Sequence, residues 1–401
     1  MNSAFSYIYS IPYIILFLVF FICFLKEDKG GNNIKSKNKE YIICILSFIF
    51  FFAFRGYMDT DFSIYYPIYE KTPPLYEWSR VLDYFQTNDF YISRLELGFK
   101  CYLILLRTIS NDYFIVQIVT CVINVVLIHK IFKRYSLNKG LSFALFLVFN
   151  GIIIEFNLIR NSLALLLSLY TLRYCQEGKM RKFIIYNVIA CFFHFSSVFF
   201  LPLYFLRKRI ISKNAIWWTF AIGTLCYLSQ IQYITSFLAM IVSLLGGTLA
   251  NRFELYSQNE LYNESYGITL GFIERAFTYI VLFANYPRLY KKSSNPIVIN
   301  TLFWMLYIYF IVNSFMYEFS IFVDRVALLF IAFYWLLYPN LYYSLSRGQK
   351  HKFILILLVF GIFKMARSNN FIIRQYQNIL VQHVDIEDAY KRLNTYHLYK
   401  D

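Results

Sequence analysis

An all-α integral membrane protein is the fold that the sequence predicts, and three observations predict it. Apolar residues fill 59% of the 401 positions and charged residues only 15%, well below the quarter usual in a soluble domain. The apolar residues fall in runs long enough to cross a bilayer, which takes about 20 residues of helix. Between the runs stand six short basic clusters, at 26–39, 133–139, 173–182, 207–213, 288–292 and 347–352. A net charge of +16 dispersed over such loops is the signature of cytoplasmic loops. It is not a single basic face, so no nucleic-acid partner is expected.

The elements follow in order. With all six clusters on the cytoplasmic side, each segment joining them crosses the membrane an even number of times. Runs 6–25 and 41–54 flank the first cluster and place the N-terminus and the segment 55–112 outside. No Lys or Arg precedes the first run and no small-residue cleavage site follows, so a span is expected there rather than a signal peptide. Segment 55–112 holds eight acids and six bases, unlike the basic inner loops. Inside it, LGFKCYLILLRTIS (97–110) reads as an interfacial or re-entrant helix with Lys100 and Arg107 near the headgroups.

A span near 113–132 returns to the second cluster, and spans near 141–157 and 158–173 pair through an external connection. The stretch 183–206 is either a re-entrant hairpin with its tip near His194, or one span, in which case 215–245 holds two. Both solutions leave 246–270 outside. Spans near 271–287, 297–316, 326–345 and 353–366, then a C-terminal tail at 367–401, give about ten crossings in a single polytopic domain over 1–401.

On this topology the costly polar residues gather near the outer face. Ionisable groups in a span cost several kcal/mol unless paired or hydrated, so each is a candidate for function. Arg55-Gly56-Tyr57-Met58-Asp59-Thr60-Asp61 directly follows the second run. Its two carboxylates and arginine could supply a general base and an anion clamp, or simply cap a helix. Glu96 lies at the start of the interfacial helix. Arg160 opens an apolar helix, where a guanidinium beside N-terminal amides suits a phosphate or pyrophosphate.

His194 is the only histidine in the middle of an apolar stretch, with Ser196 and Ser197 at hand to satisfy it. A lone histidine without a second ligand predicts no metal. Asp324-Arg325 could be an internal pair or a substrate-binding arginine with its orienting acid. Glu155, Arg252, Glu274, Arg275 and Glu318 complete the outer set as secondary contacts or solvated charges. The seven cysteines show no CxxC pairing and lie in or beside apolar stretches, as small hydrophobes do. Neither a disulfide framework nor a metal site is read from them.

The order of four segments resembles the EpsG-like branch of Wzy-type polysaccharide polymerases. They are FRGYMDTDFSIYY (54–66), RLELGFKCYLILL (94–106), LIRNSLALLLSLY (158–170) and FFHFSSVFFLPLYFL (192–206), with VDRV (323–326) as a weaker match. The resemblance spans roughly 40–330. Two positions depart from the family pattern: Asn161 stands where Gln is usual after the arginine, and Phe62 where Tyr is common.

The resemblance implies a GT-C-like membrane glycosyltransferase of the bacterial cytoplasmic (inner) membrane, acting at its periplasmic or extracellular face. Undecaprenyl-diphosphate-linked oligosaccharides would be its substrates, with a chain-length regulator and a flippase as partners and no cofactor. It assigns the leaving pyrophosphate to Arg55, Arg160 and Arg325, and the base to Asp59 or Asp61 with Glu96 in reserve. His194 would position the pyrophosphate or the acceptor. An O-antigen ligase, another lipid-linked glycosyltransferase, or a flippase or transporter would place similar charges in the same region.

Overall fold

The computed structural model describes residues 4–29, 34–235 and 268–400, and every extended element among them is a helix. Four helices are long and apolar enough to cross a membrane: Tyr7–Lys29, Phe114–Tyr135, Lys139–Phe156 and Pro296–Phe315. This is the architecture of a multi-pass membrane protein. Other expected spans are broken into shorter pieces. Run 158–173 forms Ile159–Tyr170 and then Leu172–Glu177, while run 326–345 divides between Ser320–Leu328 and Ala332–Tyr342. Ile159–Tyr170 has 12 residues and Ala332–Tyr342 has 11, some 18 Å of helix or less against an apolar core of about 30 Å.

The chain divides into two compact units. The first comprises Met1–Leu172, Arg181–Val198 and Tyr334–Asp401, and the second Arg173–Met180 and Phe199–Phe333.

In the first unit, Lys139–Phe156 is continuous but not straight, because Asn150 adopts φ 64° and interrupts the helical path. Asn tolerates this left-handed conformation better than most residues. A second irregularity is corrected chemically. Pro339 inside Ala332–Tyr342 has no N–H to offer the carbonyl of Trp335, and the Ser142 hydroxyl donates to that carbonyl instead at 2.7 Å.

After the helix Arg347–Ser368 the chain turns through Ile372–Arg374 and runs back along residues 50–59. The amides of Gly56, Asp59 and Ile379 donate to the carbonyls of Gln377, Ile373 and Phe54 at 2.9, 2.9 and 2.8 Å. Asn378 Nδ2 and the Tyr376 hydroxyl reach the carbonyls of Phe50 and Phe51, and the Tyr376 ring stacks on Phe51 with centroids 4.2 Å apart. Arg392, on the helix Ile386–Lys400, donates to the Tyr57 carbonyl at 2.9 Å. Gly56 has a steric reason to be glycine, since a Cβ there would lie 2.8 Å from Val384 Cγ1.

In the second unit, Tyr279 packs against Phe220, Phe283 and Phe310, tying together the helices Lys213–Ser229, Leu270–Lys292 and Pro296–Phe315. Glu318 accepts from the backbone amides of Ile234 and Thr235, both at 2.8 Å. The Tyr204 hydroxyl donates to the carbonyl of Gly178 at 2.7 Å.

Candidate active site

The Arg-Gly segment ends the helix Ile34–Phe52 and enters a turn that closes on itself. Arg55 is only 3% exposed. Its Nη1 donates to the Phe52 carbonyl at 2.7 Å, and its guanidinium carbon lies 5.1 Å from the centroid of the Phe156 ring. Among the described residues no carboxylate stands within 4.0 Å of it. The charge of the buried Glu155 acts on it without an ion-pair contact, and a guanidinium removed from water with no carboxylate bound to it is a candidate site for an anion.

Asp59, also 3% exposed, has φ 64°. A non-glycine residue held there stores strain that the surroundings must impose. They do so with three partners. Oδ1 accepts from the Thr60 amide at 3.0 Å and from Asn157 Nδ2 at 2.7 Å, and Oδ2 forms an ion pair with Arg374. The Arg374 guanidinium carbon lies 5.4 Å from the same Phe156 ring that faces Arg55. Two arginines therefore share one aromatic ring, with Asp59 paired to only one of them.

Behind this ring Glu155 is buried and accepts from Asn124 Nδ2 at 3.0 Å, and the same amide reaches Ser162 Oγ at 3.1 Å. Asn161, 3% exposed, has neither amide atom bonded.

A second cluster lies on adjoining segments. Arg160, in the first turn of Ile159–Tyr170, pairs with Glu96 Oε2 at 2.5 Å and donates through Nε to the Tyr65 hydroxyl at 2.9 Å. Burial raises the Tyr65 pKa to about 12, with the Arg160 charge acting the other way, so the phenol stays protonated at neutral pH. The Arg160 and Glu96 side chains are 24% and 21% exposed.

Glu96 precedes the helix Leu97–Ile109, and its Oε1 accepts from the Phe195 amide at 3.4 Å. That approach requires Gly98, where a Cβ would lie 2.7 Å from Phe192 Cβ and 2.8 Å from the Phe192 carbonyl oxygen. The Glu-x-Gly spacing thus seats the 192–195 turn against the acid. His194, at that turn, meets Ser196 Oγ through Nδ1 at 2.6 Å. The adjacent serine gives the histidine a local partner.

The structure brings together Arg55 and Asp59, and separately Arg160, Glu96 and the His194 turn. Asp61 is half-buried at the start of Phe62–Lys71, where its carbonyl accepts from the Ile64 and Tyr65 amides. Asp324 and Arg325 are exposed on Ser320–Leu328, in the second unit. Glu274 and Arg275 belong to that unit too, half-buried on Leu270–Lys292, with Glu274 Oε1 accepting from the Thr278 hydroxyl at 3.2 Å. Arg252 lies outside the described residues.

Sequence reasoning missed Arg374, Asn157 and Tyr65. Arg374 stands in ARSNNFIIRQYQN, which has the composition of an ordinary basic tail, and only its return to residues 50–59 reveals it. Among the described residues no group of three His, Cys, Asp or Glu is placed to hold a metal.

Comparison with known proteins adds one match. The model of the EpsG family matches residues 40–379, most of the chain. No curated protein and no solved structure matches it.

Proposed function

The chain belongs to the EpsG family, a Wzy-like polysaccharide polymerase family, and on that premise we propose that it joins lipid-linked oligosaccharide repeat units by glycosyl transfer. The donor is a chain on undecaprenyl diphosphate, and the acceptor is a hydroxyl of the incoming lipid-linked unit. The bond from the anomeric carbon to the diphosphate oxygen breaks, and the diphosphate leaves with the electron pair. A bond from the acceptor oxygen to that carbon forms, and the hydroxyl proton passes to a carboxylate. The reaction belongs at the outer face of the bacterial cytoplasmic membrane, in a GT-C-like chain of about ten crossings, where the basic loops face inward.

The observation that carries this reading is Arg55, a buried guanidinium with no carboxylate within 4.0 Å among the described residues. A leaving diphosphate develops negative charge, and a preorganised cation away from water stabilises it more than the ground state. Arg160 supplies a second cation, oriented by Glu96 and Tyr65. Asp59 is already saturated by two hydrogen bonds and an ion pair, which suits a positioning role better than that of a base. Asp61, half-buried two residues on, is the carboxylate assigned to the acceptor proton, with Glu96 as its alternative. His194 orients the diphosphate or the acceptor beside Glu96.

The test is surface-polysaccharide electrophoresis in the source strain with this gene deleted, then complemented with wild type or Arg55→Met. The proposal requires single repeat units after deletion and a ladder restored only by wild type. Unextended lipid core alone would favour the ligase reading, and accumulation of units on the cytoplasmic side would favour a flippase. A ladder unchanged by deletion would overturn the polymerase reading.

A further inference from the structure

We propose that Arg374, carried by the C-terminal return segment, is a ligand of the substrate diphosphate, and that Asp59 holds its place until the anion arrives. The inference rests on the diphosphate reading of the Arg55 site and adds to it a residue from the far end of the chain.

Charge is the first ground. The guanidinium carbons of Arg55 and Arg374 stand 5.1 and 5.4 Å from one ring centroid, and Asp59 is the only carboxylate within 4.0 Å of either among the described residues. Two cations that share one ring repel; Asp59 is bound to one of them, and the buried Glu155 acts on Arg55 without forming an ion pair with it. A diphosphate presents two adjoining anionic groups and can engage two forked donors at once, as guanidinium geometry favours.

The second ground is that Asp59 stays anchored when the pair parts. Asp59 Oδ1 keeps the Thr60 amide and Asn157 Nδ2 whether or not Oδ2 keeps Arg374. Oδ2 gives up its ionic partner in the exchange, a cost that the contacts of both arginines with the diphosphate must offset.

The third ground is how Arg374 is held. Its backbone is fixed, the carbonyl accepting from the Tyr13 hydroxyl at 2.8 Å and the amide donating to Phe371 at 2.8 Å. Its neighbour Ile373 accepts from the Asp59 amide at 2.9 Å. Among the described residues its guanidinium meets Asp59 and the Phe156 ring. A fixed backbone with a head that can change partner is what a ligand exchange needs.

The experiment measures binding of inorganic pyrophosphate to the purified full-length protein in metal-free lipid nanodiscs, by calorimetry. Wild type is compared with Arg55→Met, Arg374→Met, Asp59→Asn and the double variant Asp59→Asn/Arg374→Met. The expected results are a loss of roughly 10- to 100-fold for Arg374→Met, the range of a charge-assisted hydrogen bond, tighter binding for Asp59→Asn, and continued weakness in the double variant. The double variant also guards against misfolding, because removing both members of a buried pair is often tolerated where removing one is not.

If the double variant recovers wild-type affinity, or Asp59→Asn fails to tighten binding, Arg374 serves only as a structural partner of Asp59. If Arg55→Met weakens binding and Arg374→Met does not, the inference fails while the diphosphate site stands. If Arg55→Met binds as wild type does, the site itself falls and the inference with it.

Discussion

Two arginine–carboxylate pairs lie on neighbouring segments of the first unit, and they are built for different work. Arg374–Asp59 is nearly closed to solvent, draws its two members from distant parts of the chain, and shares the Phe156 ring with Arg55, which has no carboxylate bound to it among the described residues. Arg160–Glu96 is about a quarter exposed on each side, charge-balanced, and braced by Tyr65 and the Phe195 amide. The same side-chain chemistry thus appears once in a buried setting with a spare cation and once in a partly exposed, balanced one. The difference lies in burial and in the spare cation, since solvent screens the second pair and cannot reach the first.

The sharpest way to break the comparison is Arg55→Met. Polymer synthesis should fall by about 30- to 150-fold if the buried cation meets the leaving diphosphate, since losing such a contact costs about 2–3 kcal/mol. Repeat-unit transfer by purified protein measures it. A fall no larger than that for Arg160→Met would erase the distinction between the clusters.

Next comes Gly98→Ala, which forces the new methyl against the Phe192 backbone. Overpacking of that kind costs about 1–3 kcal/mol. Activity should drop with the Glu96–Phe195 contact, and pyrophosphate affinity should fall by less than it does in Arg55→Met; calorimetry beside a transfer assay measures both. A smaller effect is expected from Ser142→Ala. It strands the Trp335 carbonyl that Pro339 cannot serve, at about 1 kcal/mol, visible as a lower midpoint of thermal unfolding with catalysis intact.

The smallest effect belongs to Lys71–Asp89, an exposed pair 2.8 Å apart that serves as the control without burial. The Lys71 hydrogen bond holds the Asp89 carboxyl below its ordinary 3.8. A depressed carboxylate pKa gives stability that is present above 3.8 and lost as pH falls through the lower folded value. Lys71→Ala should therefore leave unfolding at pH 7 within about 0.5 kcal/mol of wild type and remove only a shallow acid-side slope. A large loss at neutral pH would show that exposure is a poor guide to which pairs matter here.

Much of this was legible in the chain. Apolar runs and basic clusters predicted the helices, and Arg55, Glu96, Arg160 and His194 were conspicuous because charge is costly among apolar neighbours. The helix breaks were harder to see. Run 326–345 looks continuous, yet it separates between Leu328 and Ala332, because hydropathy reports burial and not backbone continuity. The partners of Asp59 were hidden for a related reason. A carboxylate two residues from another looks like a base, and its contacts with Asn157 and Arg374 appear only in the fold. Those partners lie far along the chain, and no local spacing announces them.

The returning C-terminal segment has a consequence in time. Tyr57 and Arg392, which it joins, are 335 positions apart. At synthesis rates of about 5–20 residues per second, tens of seconds separate their emergence from the ribosome. Through that interval the Arg-Gly turn is already made and cannot yet be clamped by Arg374 or Arg392. Closure of the Arg55–Asp59 turn is therefore a late event in the life of each molecule.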